Sequence, residues 1–409
     1  MSEPENSQLR RSLSLLQVVL YGLGTTVGAG IYLLMGEVAR ASGMAAPTAF
    51  LAASLLAAFT ALSFGELVSR YPQSAGEAVY VREGFGSRNF ATAIGLLVAV
   101  AGCVSAAAMA NGFAGYLAEF VELPEAICVA AFVATLVGVS VWGVAESVSV
   151  AGLFTLIEIG GLLAIIAVAG ESLEQLPERW TELLPVSDPG VWRGVAMASL
   201  LTFYAFLGFE DMVNVAEEVK DVRRTLPLGI GITLAITTVL YITIAAICVL
   251  AVPPAELAGS TAPLAFVYER ATGSAPTGIA LVGILAVVNG ALIQIIMASR
   301  VLYGLAARGH LPVQFARIHP RTGTPHFATL AAGALVLVLA LGFPLARLAE
   351  GTSVVTLAVF ASVNLALWKI KGRAQVSKPA FGVPRWVPVV GACTTSGLLL
   401  LRLGEAVFF

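Results

Sequence analysis

The stretch Gly22-Leu-Gly-Thr-Thr-Val-Gly-Ala-Gly30 decides the fold, because it places four glycines and two threonines inside the first long apolar run. Each glycine weakens a helix by about 1 kcal/mol relative to alanine and gives the backbone more freedom. Backbone that leaves the helix at membrane depth is tolerated only within protein or beside a cavity. The stretch therefore predicts a helix that opens at mid-membrane and exposes N–H donors suited to an anion. The spacing of Gly24 and Gly28 also fits close helix packing, and the stretch alone leaves both interpretations open.

The composition of the chain indicates an integral membrane protein. Of its 409 residues, 58 % are hydrophobic and 12 % are charged, whereas soluble domains carry about 25 % charged residues. A soluble enzyme and a secreted module are excluded, and a net charge of −2 provides no basic surface for nucleic acid. The four cysteines lie within apolar runs, so we expect no disulfide framework, no metal site and no cofactor.

Apolar runs long enough to cross a bilayer predict an all-α integral membrane protein embedded in lipid. Eleven such runs occur, at residues 15–41, 46–69, 90–118, 126–143, 148–170, 192–216, 227–252, 276–306, 326–343, 348–370 and 385–407. Sixteen Lys and Arg residues fall in the loops on the N-terminal side and six in the opposite loops. We therefore expect a multi-pass protein of the cell (inner) membrane with a cytoplasmic N-terminus and, for eleven spans, an external C-terminus. One missed run would make the number twelve.

The sixth run carries a second interruption, Phe203-Tyr-Ala-Phe-Leu-Gly-Phe-Glu-Asp211. Two adjacent acids inside a membrane span mark a functional site. Spans one and six are five helices apart, which fits an inverted repeat of five plus five helices, and paired interruptions indicate a transporter binding site. A channel is less well supported because no repeated ring of carbonyls or charges is visible. The expected organisation is a cytoplasmic tail at 1–14, a first repeat at 15–170, a second, inverted repeat at 192–370 and an additional helix at 385–409.

Both interruptions, with segments further along the chain, resemble the amino acid–polyamine–organocation transporter superfamily, of the bacterial amino acid permease type. The further segments are residues 66–80, 206–227, 298–312 and the pair Thr352-Ser353, in the same order as in that superfamily. The resemblance implies a LeuT-like fold with helices 1 and 6 unwound at mid-membrane. It also implies a secondary transporter of amino acids that works by alternating access and is not an enzyme.

The resemblance further implies where an amino acid binds. In relatives, backbone donors of the first interruption hold the α-carboxylate, carbonyls of the second receive the α-amino group, and an aromatic side chain acts as a gate. The implied carboxylate positions are Thr26, Gly28, Ala29 and Gly30. The implied amine positions are Phe203, Ala205 and Phe206, and the implied gate is Tyr204 or Phe206.

Two acids are candidates for coupling transport to an ion. Glu158 stands in the fifth span where proton-coupled relatives often have lysine, so it is interpreted as a proton carrier or, with Ser299, as a cation site. Glu210 matches an acid that some relatives use in proton-linked gating. Proton-coupled symport or exchange is the expected mechanism, with sodium coupling or transport of polyamines or organocations as alternatives. Neutral and cationic amino acids are equally compatible. The loop 119–125 lacks the cysteine through which some animal relatives join a heavy chain, so we expect no such partner.

Overall fold

The computed structural model describes residues 13–73, 76–118, 120–142, 148–185, 189–307, 309–322, 324–373 and 379–408. Within these ranges the regular structure is helical, apart from one isolated bridge between Leu13 and Val219. Residues 1–12 of the expected cytoplasmic tail lie outside the described residues, as does residue 119 of the loop after the third span.

The described part of the chain contains sixteen α-helices, named α1 to α16 in chain order. Their bounds are Leu15–Val27, Ala29–Ser42, Ala46–Arg70, Gly76–Phe85, Arg88–Leu117, Glu125–Trp142, Val148–Ala169, Leu176–Arg179, Pro189–Phe206, Val222–Ala251, Pro254–Leu257, Pro263–Thr272, Thr277–Ala307, His326–Gly342, Leu345–Lys371 and Trp386–Phe408. Short 3-10 helices occur at Gly43–Ala45, Gly170–Gln175, Glu210–Glu218 and Val313–Ala316.

Helices occupy all eleven predicted span positions, which confirms the all-α membrane prediction. Eight stretches of the described chain are long and apolar enough to cross a membrane, and two shorter apolar helices, α14 and α16, follow the same pattern. The first of the eight, Leu15–Arg70, holds both the first span, α1 with α2, and the second span, α3. The sixth span is divided, because α9 ends at Phe206 and the chain continues as the 3-10 helix Glu210–Glu218.

Large apolar side chains cover the outer surface of the helical bundle. Val239, Val338 and Leu400 are 65 %, 68 % and 68 % exposed. Water does not solvate contiguous apolar surface of this kind, whereas hydrocarbon chains do. The outer face of the bundle is therefore suited to lipid.

The short helix α4, which follows the second span, packs back against the bundle. A Cβ atom on Gly84 would lie 2.5 Å from the Cα atom of Ala366 in α15, and one on Gly76 would lie 2.4 Å from the Val213 side chain. Arg373 also donates to a carbonyl in the last turn of α4 at 2.8 Å. These close contacts fix α4 against both α15 and the 3-10 helix Glu210–Glu218.

A buried ion cluster joins α3 to α15 at the same end of the molecule as α4. Glu66 is fully buried, and its carboxylate accepts hydrogen bonds from Arg70 at 2.6 Å and from Lys371 at 2.6 Å. The Val383 N–H donates to the same carboxylate at 2.8 Å. The cluster anchors the segment that leads into α16 to the ends of two membrane helices.

Candidate functional site

The first membrane helix is interrupted at Gly28. Its backbone angles, φ −41° and ψ −131°, are not helical, so α1 ends at Val27 and α2 begins at Ala29. The first N–H groups of a helix have no carbonyl partner within that helix, and no side chain caps the start of α2. The donors at Ala29 and Gly30 therefore lie at the positive end of the α2 dipole, inside the protein. The predicted interruption is confirmed, and it involves a single residue.

The second interruption falls after Phe206, at residues 207–209. Gly208 has φ +120°, a region that side-chain-bearing residues rarely adopt. The Gly208 N–H donates to the Glu210 carboxylate at 2.8 Å, and the Leu207 N–H donates to the Tyr204 carbonyl at 3.1 Å. The last carbonyls of α9 are left at a helix C-terminus, where the dipole is negative.

The two interruptions touch each other. A Cβ atom on Gly30 would lie 2.5 Å from the Cα atom of Ala205, so α2 and α9 approach with no side chain between them. Thr25 donates its hydroxyl to the Gly208 carbonyl at 2.9 Å. The Tyr241 hydroxyl lies 2.7 Å from the Thr26 carbonyl and 3.1 Å from the Ala205 carbonyl. The positive start of α2 and the negative end of α9 consequently lie side by side.

The aromatic residues of the sixth span occupy two different environments. Phe206 packs against Tyr241 with ring centroids 5.2 Å apart, and Phe203 packs against Phe360 at 5.9 Å. Both rings are fully buried and act as packing. The Tyr204 hydroxyl instead lies 3.1 Å from the Ser105 hydroxyl on α5. Of the two gate residues that the family resemblance implies, Tyr204 is the one that bridges two helices through its hydroxyl group.

A cavity of about 40 Å³ lies on the other side of the second interruption, between α4, α5, α13, α15 and the 3-10 helix Glu210–Glu218. This volume is enough for about three water molecules. Its wall contains the carboxylates of Glu77, Glu210 and Asp211 and the amide of Gln294. The Gln294 amide donates to the Asp211 carboxylate at 3.4 Å. The lining of this cavity does not include the start of α2.

Glu77 is the residue of this region that sequence reasoning did not single out as functional. It belongs to α4, a polar segment between spans, and only the packing of α4 against the bundle brings it beside Asp211. Burial, together with the charge of Asp211, raises the pKa of the Glu77 carboxyl to about 7. Glu77 therefore changes charge close to neutral pH.

Glu158 lies on α7, fully buried and next to the first interrupted helix. Its backbone carbonyl accepts the Tyr32 hydroxyl of α2 at 2.6 Å, and its carboxylate accepts the Asn289 amide of α13 at 3.4 Å. Ser299 lies ten residues beyond Asn289 on α13, which is about 15 Å along the axis. The Ser299 hydroxyl donates to the Ile296 carbonyl at 2.8 Å. The structure therefore places the Glu158 carboxylate beside Asn289, whereas Ser299 lies about 15 Å further along α13.

Known proteins share this sequence pattern. The family model described as amino acid permease matches residues 13–406. The chain is 28 % identical to the branched-chain amino acid permease BcaP of Bacillus subtilis, over 97 % of this chain and 89 % of the relative. It is 28 % identical to the methylthioribose transporter of Bacillus subtilis, over 95 % of this chain and 87 % of the relative. It is 31 % identical to the vacuolar cationic amino acid transporter 4 of Arabidopsis thaliana, over 87 % of this chain and 62 % of that longer relative.

Proposed function

The chain belongs to the amino acid permease family, and on that premise we propose that it is a secondary transporter that moves an amino acid across the cell membrane by alternating access. The observation that carries the proposal is the contact between the start of α2 and the end of α9, at Gly30 and Ala205. A free amino acid has a carboxylate and an ammonium group one carbon apart. Two oppositely charged helix ends placed side by side match that pair of charges.

In this proposal the α-carboxylate accepts hydrogen bonds from the backbone between Thr26 and Gly30, chiefly from the uncapped donors of Ala29 and Gly30. The α-ammonium group donates to carbonyls in the last turn of α9, at Phe203, Ala205 and Phe206. The Ala205 carbonyl already accepts the Tyr241 hydroxyl, so the ammonium group replaces or joins that donor. Since the two ends are in contact, the substrate has to separate them when it binds.

We further propose that protons couple transport through two separate acids. Glu158 contacts α2 through Tyr32, so a change in its protonation acts on the helix that holds the carboxylate. Glu210 accepts the Gly208 N–H within the second interruption, so its protonation acts on the turn after α9. The alternative is sodium coupling through Glu158 and Ser299; the contact of the Glu158 carboxylate with Asn289 supports the proton instead.

The proposed orientation places the N-terminus and α4 on the cytoplasmic side and the C-terminus outside. Arg70, Lys371 and Arg373 lie together around α4, on segments that follow the second and tenth spans. A concentration of basic residues at one end of the bundle is the usual mark of the cytoplasmic side.

Counterflow in proteoliposomes tests the function. Vesicles that contain the purified protein are loaded with one unlabelled amino acid at a time and diluted into a trace of the same labelled amino acid. A transporter accumulates label above equilibrium, saturably, because the unlabelled substrate leaves through the same alternating site. Equilibration without overshoot, and with no saturation, would indicate a passive pore and would overturn the proposal.

A further inference from the structure

The three histidines of the chain, His310, His319 and His326, all belong to the connection between α13 and α14. We call residues 309–322 and 324–326 the histidine loop. It lies at the same end of the bundle as α4, because His310 contacts Arg88 at the start of α5, which directly follows α4 in the chain. The proposed orientation therefore places the histidine loop on the cytoplasmic side. Imidazole is the side chain whose charge ordinarily changes between about pH 5 and 8.

His310 fastens the histidine loop to α5 through a closed set of hydrogen bonds. The Arg88 Nε–H donates to the His310 Nε2 atom at 3.0 Å. Because a guanidinium group has only donors, Nε2 carries no proton, and the neutral imidazole has its proton on Nδ1. Nδ1 lies 3.2 Å from the Thr92 hydroxyl oxygen, and the Thr92 hydroxyl donates to the Arg88 carbonyl at 3.0 Å. This set of bonds is complete only when His310 is uncharged.

His319 and His326 form the second contact of the histidine loop, with α6. Their rings are stacked, with centroids 4.2 Å apart and planes 15° apart. The His326 Nε2 atom lies 3.2 Å from the Val141 carbonyl in the last turn of α6, and the Thr324 hydroxyl donates to the same carbonyl at 2.8 Å. The His319 Nδ1 atom is buried and has no hydrogen-bond partner among the described residues. A charged imidazole carries a proton on both nitrogens, so charging His319 would bury an unpaired N–H donor.

The surroundings of the three rings disfavour positive charge. Among the described residues, no Asp or Glu forms an ion pair with a histidine. Apart from Arg88, the groups that bond to the histidines are uncharged carbonyls and hydroxyls of α5, α6, α13 and the loop itself. The loop also carries Arg317 and Arg321, which are exposed and positive. Protonation would set His310 against a guanidinium group and give the two stacked rings like charges, so it opposes both contacts.

We propose that the histidine loop is a pH-sensitive clamp, which fastens α13 and α14 to α5 and α6 while its imidazoles are neutral and is released when the cytoplasm becomes acidic, slowing transport. The clamp goes beyond the proposed function, because it regulates transport and binds neither substrate nor coupling ion. Two of the clamped helices frame the proposed binding site: Ser105 of α5 contacts Tyr204, and Asn289 of α13 contacts Glu158. Release of the cytoplasmic ends of these helices loosens that frame. Import of protons with substrate would then be limited by the acidity it causes.

Hydrogen–deuterium exchange of the purified full-length protein, at about pH 7.5 and about pH 5.5, tests the clamp, because exchange reports local opening. After correction for the intrinsic effect of pH on amide exchange, amides of the histidine loop should open about tenfold more often at the lower pH, as expected for release linked to one proton. The segment 252–262, which connects α10 to α12 at the opposite end, should not respond. Equal opening of the histidine loop at both pH values would overturn the proposal.

Two substitutions remove the charge and keep the contacts. His310→Gln retains an acceptor for the Arg88 Nε–H, and His319→Phe retains a ring that stacks on His326. The double variant should stay closed at about pH 5.5. If it does not fold, His310→Gln alone should keep residues 309–312 closed, and His319→Phe alone should keep residues 324–326 closed. The matched control is Arg317→Gln, an exposed residue of the same loop, which should respond to acid as the wild type does.

Counterflow in proteoliposomes with equal pH on both sides tests the regulatory effect. Between about pH 7.5 and about pH 5.5, the rate should fall several-fold more in the wild type than in the double variant. A wild-type acid response of the double variant in exchange, or an equal fall in counterflow for both proteins, would overturn the clamp. Failure to transport any amino acid, with the acid response of the histidine loop intact, would instead refute the proposed function.

Discussion

The contact between the two interrupted helices predicts that the fold does not tolerate alanine at position 208. Gly208 has φ +120°, and holding alanine in such a region costs about 1–3 kcal/mol. The added Cβ atom would lie 2.2 Å from the carbonyl oxygen of Thr25, 2.5 Å from its carbonyl carbon and 2.9 Å from the Thr26 nitrogen. These are backbone atoms, so relief requires one whole helix to move, and overpacking of this kind adds about 1–3 kcal/mol. We expect a loss of about 2–6 kcal/mol in the free energy of unfolding.

The assay is thermal unfolding of the purified variant in detergent, followed by tryptophan fluorescence, together with amino acid uptake in proteoliposomes. Gly208→Ala should lower the unfolding temperature and abolish uptake. Gly231→Ala is the matched control, because a methyl group added to Gly231 in α10 would meet no heavy atom within 4 Å. It should raise stability slightly, by up to about 1 kcal/mol, since alanine favours the helix. Wild-type stability and uptake in Gly208→Ala would refute the proposed contact between the interruptions.

Three further predictions concern buried acids. Glu158→Gln should abolish uptake driven by a pH gradient and leave counterflow exchange intact; loss of both would assign Glu158 a structural role. Glu66→Gln should cost about 3–5 kcal/mol in chemical or thermal unfolding, because Arg70 and Lys371 would be left without their buried counter-charge; an unchanged unfolding temperature would contradict this. Glu77 keeps its proton to about pH 7 in the folded protein, against an ordinary pKa of 4.5. It should therefore lower the free energy of unfolding by about 3 kcal/mol as pH rises from 4.5 to 7, and Glu77→Gln should flatten that slope when unfolding is measured across this range.

Local chemistry explains which features could be predicted from the sequence. Glycines and paired acids are out of place in an apolar membrane helix, so the interruptions at Gly28 and around Gly208 could be located from the sequence alone. The eleven helix positions follow from the length of the apolar runs. Both features depend on residues that are close together in the chain.

The remaining features depend on how distant helices are rotated and packed. Asn289 and Ser299 are both polar residues of α13, and only the rotation and depth of that helix decide that Asn289 faces Glu158. Tyr241 lies in an otherwise apolar stretch. Nothing in the neighbouring sequence therefore indicates that its hydroxyl bonds to both interruptions. Glu77 is an ordinary loop acid until α4 folds against the bundle. Such contacts form only in the tertiary structure, so they cannot be predicted from the periodicity and composition of the sequence.

The most direct measurement is an experimental structure of the purified protein with a bound amino acid, compared with the same protein without it. We expect substrate density between the two interrupted helices, with carboxylate oxygens within hydrogen-bonding distance of the Ala29 and Gly30 nitrogens. The amino group should lie within the same reach of the carbonyls at the end of α9. Density for the substrate elsewhere, with Gly30 still packed against Ala205, would contradict the proposed binding site.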